Sequence, residues 1–163
     1  KRALYRKFFI SNTTDEYVNQ DITFGQFKRV LEKYETLLKQ TPTKDQSITT
    51  LLQTIRQAMN SKVERQIAMK VFVEYLKKRY ANNTTLNNTN TTSSFSDVST
   101  TNSFAPHIEQ AYKLCLVHGR KTRDGNPENP NQPRVFEPTS YITIAETIKV
   151  LVNMGHSWDG IEW

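Results

Sequence analysis

From Lys62 to Tyr80 the chain is apolar around most of a helical circumference. Val63, Ile67, Met69, Val71, Phe72, Val73, Tyr75, Leu76 and Tyr80 leave only a narrow polar stripe of Gln66, Lys70, Glu74 and Lys77. A surface helix buries one face; a helix that is apolar nearly all round has to be packed on several sides. Such a segment needs other apolar helices around it, and the rest of the chain offers them. The expected fold is all-α: a helical bundle of about five to six helices.

The spacing predicts a helix from Ile22 to Gln40. Phe24, Phe27, Val30, Leu31, Tyr34, Leu37 and Leu38 share one face, and Lys28, Arg29, Glu32, Lys33 and Glu35 share the other. Thr23 with Gln26 reads as a capping box at its start, and Thr41-Pro42 ends it because proline cannot donate the helical hydrogen bond. A second helix runs from Ile48 to Met59 on the stripe Ile48, Leu51, Leu52, Ile55 and Met59. Ser61 and Glu64 form another capping box, which opens the central helix at Lys62. Leu4, Tyr5, Phe8, Phe9 and Ile10 suggest a short N-terminal helix that closes the bundle. Downstream, Pro106 opens a helix that Gly119 stops, and Thr143 with Glu146 caps a last helix ending at Gly155. Between those two, the loop from Gly119 to Thr139 holds four of the six prolines. The tail from His156 to Trp163 carries two Trp and an Ile, residues that tend to tuck back onto a core.

Asn82 to Ser103 has a different composition, with Asn, Thr or Ser at 18 of 22 positions. Such residues bury too little apolar surface to offset the entropy of ordering them. This tract reads as a long disordered, flexible linker or insertion, in which Leu86, Phe95 and Val98 are the substantial apolar features and the latter two could dock locally. Composition then divides the chain into a basic helical bundle at 1–81, the tract at 82–103, and a helix, proline-rich loop and helix at 104–163. This last part could pack on the bundle as one domain.

Charge follows the same division. Residues 1–80 hold 16 Lys/Arg against 8 Asp/Glu, whereas residues 81–163 hold 6 against 8. A basic half invites acidic lipid or nucleic acid as partner, though a surplus of this size is also common on solvated helices. The mixture of Lys1, Arg2, Arg6 and Lys7 with Leu4, Tyr5, Phe8, Phe9 and Ile10 suits either an anionic surface or a packed helix. Lys77, Lys78 and Arg79 beside Tyr80 are explained by their place in a last helical turn, where cations complement the helix dipole. No apolar run approaches the length of a membrane span, which predicts no transmembrane segment. A single cysteine excludes an internal disulfide framework and favours a reducing, cytoplasmic setting. No initiator Met precedes Lys1, so the chain reads as a trimmed fragment. Four of the five Asn-x-Ser/Thr sequons fall in the polar tract, whose composition generates them by chance.

Chemistry has few places to sit. Cys115 and His118 lie three apart on the helix predicted from Pro106, a spacing that could activate a thiolate if Asp124 or Glu109 oriented the histidine. Ala111, Leu114 and Leu116 around Cys115 instead favour a small core residue. His107, Cys115, His118 and His156 lack the paired short spacing of structural zinc sites, so no metal and no cofactor is expected. Arg120, Lys121, Arg123 and Arg134 could hold a phosphate or acidic peptide, but a solvated basic loop is the simpler reading without a glycine-rich phosphate loop. No hydrolase elbow, kinase set or metal-binding helix motif is present, and the expectation is a non-enzymatic chain.

The helix ending in His118-Gly119, then Asn126-Pro-Glu-Asn-Pro130, Phe136-Glu-Pro-Thr-Ser-Tyr141, Glu146-Thr-Ile148 and Met154-Gly-His156, resembles a small C-terminal module recurring in Legionella-type translocated effector proteins. The resemblance covers about residues 104–163 and its motifs are structural. It implies a bacterial protein delivered into a host cell, where this piece would serve recognition or localisation, and it transfers no functional residue. The stretch from Ser140-Tyr141 to His156 also resembles the latter half of a U-box ubiquitin-ligase domain, without the paired loops that precede it in that fold.

These observations point to a protein–protein interaction module whose loops and chain ends make the contacts. Arg123, Arg134, Phe136, Tyr141, Trp158 and Trp163 are the candidate binding residues. The alternatives are an anionic-surface binder acting through the basic half, a U-box-like ligase module, and an enzyme built on Cys115.

Overall fold

A computed structural model describes residues 2–8, 10–38, 48–81, 83, 86, 93–120 and 134–163. Among them the chain is mainly α-helical, with isolated β-bridges in place of any sheet. The helices are α1 (Arg2–Lys7), α2 (Asp15–Val18), α3 (Phe24–Leu37), α4 (Ile48–Gln53), α5 (Arg65–Arg79), α6 (Ala105–Lys113) and α7 (Ile144–Ser157). None of them is long and apolar enough to cross a membrane. Among the described residues there are seven helices, in keeping with the expected helical bundle, the N-terminal region forming two short ones, α1 and α2.

The chain divides into two compact units, Lys1–Val63 with Tyr141–Trp163, and Glu64–Ser140. Packing thus groups the last helix with the first residues, a different partition from the one that composition suggests at residues 81 and 103.

In the first unit α3 packs against α4 and α7. Both α3 and α7 begin with the capping boxes the sequence shows. The Thr23 side chain accepts the Gln26 N–H at 3.2 Å while the Thr23 N–H donates to Gln26 Oε1 at 3.0 Å. Thr143 and Glu146 make the same reciprocal pair at 3.1 Å each way. Immediately before each helix lies a buried β-branched residue, Ile22 or Ile142, and Val63 joins them, all at most 1% exposed. The Ile22 N–H donates to the Ile142 carbonyl at 3.0 Å, and the Ile142 N–H to the Val63 carbonyl at 2.9 Å. Bridges pair Asp21 with Thr143 and Thr23 with Lys62. Three remote segments are thereby tied into a backbone junction on which the unit is built.

This junction corrects the expected third capping box. The Ser61 carbonyl accepts the Phe24 N–H at 2.7 Å and Lys62 is paired with Thr23, so neither is released to start a helix. α5 begins instead at Arg65, with Glu64 as its N-cap and no side-chain cap bond. The second helix is also shorter than its stripe predicts and stops at Gln53. The Thr54 N–H and hydroxyl both turn back to the Leu51 carbonyl, at 3.2 and 2.6 Å, a local alternative that competes with the helix. Met59, expected on the buried stripe, is 56% exposed. In the other direction α7 runs through Gly155 to Ser157.

In the second unit α5 packs against α6. As its pattern requires, α5 is buried nearly all round, from Ala68 to Leu76. Arg65 and Gln66 are buried as well, although Gln66 belongs to the polar stripe of the sequence. Each is satisfied by hydrogen bonds: the Arg65 Nε donates to the Phe136 carbonyl at 2.8 Å, and Gln66 Oε1 accepts from Asn102 at 3.1 Å. Within the Asn/Thr/Ser tract, residues 93–103 are anchored by carboxylates. Buried Glu109 accepts the Ser94 N–H at 2.8 Å and its hydroxyl at 2.6 Å. Asp97 accepts the backbone N–H groups of Phe136 and Glu137 at 2.8 and 2.7 Å. Phe95 and Val98 dock as their apolar character suggests, 3% and 5% exposed, and Phe95 meets the rings of Tyr112 and Phe136.

The helix from Pro106 stops at Lys113 rather than at Gly119. The Cys115 N–H returns to the Tyr112 carbonyl and the Leu116 N–H to the Ala111 carbonyl, both at 3.0 Å. That bond pair closes a helix with a left-handed residue at C′, and Cys115 holds that position with φ 59°. Gly119, at φ 82°, serves a later turn where a Cβ would lie 2.6 Å from the Phe95 ring.

Candidate functional site: the groove between α1 and α7

In the first unit an open groove of about 420 Å³ is lined by Leu4 and Tyr5 of α1 and by Ala145, Glu146, Ile148, Lys149 and Val152 of α7. The α7 contribution follows helical geometry, since positions three, four and seven apart fall on one face. α7 therefore carries two overlapping apolar stripes. Ile144, Ile148, Leu151 and Met154 are buried, whereas Ala145, Ile148 and Val152 form the groove wall.

Next to the two helices that line the groove lies a cluster of aromatic residues. α1 is held by Phe8, which is fully buried and stacks on Tyr34 with ring centres 6.5 Å apart and planes 8° apart. Trp163 packs on Phe8 at 5.6 Å and on Tyr34 at 6.4 Å, and its indole N–H donates to the Val152 carbonyl at 3.0 Å. The Trp163 ring packs against Gly155, where a Cβ would come within 2.7 Å of it. The Tyr34 hydroxyl donates to the Asp159 carboxylate, and the Ile161 N–H donates to the Gly155 carbonyl at 2.8 Å. The C-terminal segment is thus bonded along α7 behind the wall that Val152 belongs to.

Electrostatically the groove is mixed. Burial first, and then the Asp15 carboxylate, raises the Tyr5 phenol above its ordinary value of 10.0, so it stays a neutral hydrogen-bond donor at physiological pH. Glu146 uses one carboxylate oxygen in the capping box. Lys149 is exposed, as are Arg6 and Lys7 at the end of α1.

The residues singled out from sequence are shared between the two units. Arg123, with Lys121 and Asp124, lies outside the described residues. Arg134 is exposed and donates to the His118 carbonyl at 2.7 Å. Phe136, expected as a contact, is instead fully buried, with the Arg65 guanidinium 4.7 Å from its ring centre. Tyr141 is 44% exposed with the Lys62 ammonium 5.6 Å from its ring, and half-buried Trp158 forms the C-cap of α7. Trp163 is half-buried and faces the aromatic cluster described above.

The end of α6 at Lys113 also dissolves the premise of a helical Cys115–His118 pair. Both residues are exposed and lie beyond the helix, and Cys115 is not the core residue its neighbours suggest. His107 places Nε2 2.8 Å from Glu74. Among the described residues no three His, Cys, Asp or Glu are grouped to hold a metal ion. The sequence reading missed the groove because Leu4, Tyr5 and the α7 stripe all look like ordinary core positions. The signal that could have found it is Val152, the apolar residue that continues the second stripe of Ala145 and Ile148.

Compared with known proteins, the chain matches no protein-family profile, no curated protein and no solved structure.

Proposed function

We propose that this chain is a protein–protein interaction module, without catalysis of its own, that seats an amphipathic helix of a partner protein in the α1–α7 groove. The observation that carries this reading is the groove's lining, where apolar side chains of two helices surround about 420 Å³ and charged groups stand at the margin. A helix laid in such a groove buries its own i, i+3, i+4 and i+7 side chains against the apolar floor, while its polar face stays in water. Burial of apolar area supplies the affinity, and the margin selects among partners.

The experiment is a fluorescence-polarisation screen of labelled amphipathic helical peptides against the protein and against Ala145→Trp. Ala145 is half-buried in the groove wall, so an indole there fills the groove without emptying the core. Binding by at least one peptide, weakened about tenfold or more in Ala145→Trp with the far-UV circular dichroism unchanged, supports the reading. Failure of every peptide, or equal binding by Ala145→Trp, overturns it.

A further inference from the structure

We infer that the C-terminal segment is the latch of this groove: seating Trp163 assembles the groove, and releasing it takes the groove apart. The inference rests on the interaction reading above and names how that same site is regulated. Trp163 touches the chain behind both groove walls. On the α7 side its indole N–H donates at 3.0 Å to the carbonyl of Val152, whose side chain lines the groove. Its ring also packs on Gly155, three residues further along the helix. On the α1 side it meets Phe8 with ring centres 5.6 Å apart, and the Lys7 ammonium lies 5.8 Å from the Trp163 ring centre. Phe8 follows directly on α1, and its N–H donates to the carbonyl of Tyr5, which with Leu4 makes the opposite wall.

α1 is six residues long, too short to persist as a helix without packing. Its place therefore depends on what covers Phe8, and the rings of Tyr34 and Trp163 do so. The segment carrying Trp163 is anchored on both sides of Gly160. Before it, the Asp159 carboxylate accepts the Tyr34 hydroxyl; after it, the Ile161 N–H donates to the Gly155 carbonyl at 2.8 Å. Gly160 itself is exposed at φ 63° with open space around it, a position about which the segment can turn. Peripheral elements open in cooperative units below the free energy of the core, and α1 with the Trp163 segment forms such a unit. A helix in the groove and the tryptophan behind it then favour the same arrangement, so each strengthens the other.

Native-state hydrogen exchange of the whole chain in rising denaturant tests the latch without a ligand. The Trp163 indole N–H and the amides of Ile161, Phe8 and Ile10 should share one protection factor, at least tenfold below that of the α3 amides. Protection that differs tenfold between the tail and Phe8 or Ile10 overturns the latch, as does opening of both only together with α3. A second arm adds a synthetic helix with Leu at i, i+3, i+4 and i+7 and Gln at its polar positions. Its binding should slow exchange of the Trp163 indole about tenfold, although the indole lies outside the groove. Trp163→Ala should weaken that binding about tenfold, and Trp163→Phe, which keeps a ring against Phe8, should weaken it less. Binding that leaves the indole exchange unchanged, or that Trp163→Ala does not weaken, overturns the latch and leaves the groove reading standing. If the helix does not bind wild type, the groove reading is what fails, and the first arm alone decides whether tail and α1 open together.

Discussion

At Cys115 the backbone adopts φ 59°, a left-handed conformation that only glycine takes without steric cost. The position is imposed by the two hydrogen bonds that close α6, and the buried Leu116 that follows holds the turn against the core. An exposed thiol contributes little packing to offset that strain. Cys115→Gly is therefore expected to stabilise the protein by about 1 kcal/mol. The check is thermal unfolding, where Tm should rise; a fall would mean the thiol makes contacts that outweigh the relief. The sequence hid this residue for a physical reason. Helix-terminating positions usually announce themselves with glycine, and Gly119, four residues on, offered the more familiar signal. Phe136 was hidden differently: an aromatic ring in a proline-rich loop looks available for recognition, and only the docking of Phe95 and Arg65 on it reveals a core residue.

At the scale of elements, the start of a helix was legible wherever its cap is purely local. Thr23 with Gln26 and Thr143 with Glu146 satisfy one another within four residues, so spacing alone announced them. Ser61 and Glu64 have the same spacing and the same kinds of side chain, yet long-range pairing with Thr23 and Phe24 takes Ser61 and Lys62 first. No local pattern carries that information. α7 and the C-terminal segment were partly legible, since two tryptophans seldom stay in water. What could not be read was the glycine that receives one of them. Gly155 within α7 costs up to about 1 kcal/mol in helix propensity relative to alanine, which is the outlay for a flat surface under the indole. Gly155→Ala should nonetheless destabilise the protein, because the new methyl meets a ring that Val152, Phe8 and Tyr34 hold in place. Trp163→Ala should cost about 2–3 kcal/mol, below the value for a fully buried aromatic because the residue is half-exposed. Denaturant unfolding followed by tryptophan fluorescence measures both. A gain in stability for Gly155→Ala would show that helix propensity decides the matter and that the ring simply moves.

For the whole molecule, composition revealed the helical class but not which parts of the chain belong together. The polar tract looked like a boundary because of its letters. Carboxylates of Glu109 and Asp97 instead bind its described backbone into the unit formed by Glu64–Ser140. That unit leaves and rejoins the first at neighbouring points. Within it the Arg65 N–H reaches the Ser140 carbonyl at 2.8 Å and the Gln66 N–H reaches the Pro138 carbonyl at 3.0 Å, while Ile142 bonds to Val63 in the other unit. An insertion with ends this close is replaceable in principle by a few residues. A chain in which a short Gly/Ser linker replaces residues 64–140 should retain a helical, cooperatively unfolding first unit. Loss of cooperative unfolding in that variant would show that the first unit depends on the inserted one.

The junction of Ile22, Val63 and Ile142 also imposes an order of events during synthesis. Two of its three strands of backbone emerge from the ribosome early, and the third follows only after the 77 residues of Glu64–Ser140 have been translated. Until then Ile22 and Val63 wait without the carbonyl and amide of Ile142, whereas the inserted unit has its whole sequence in hand. Nascent chains held so that everything up to Ser140, and no more, has emerged from the ribosome should accordingly protect the later unit from protease before the earlier one, so that the first residues made are among the last to settle.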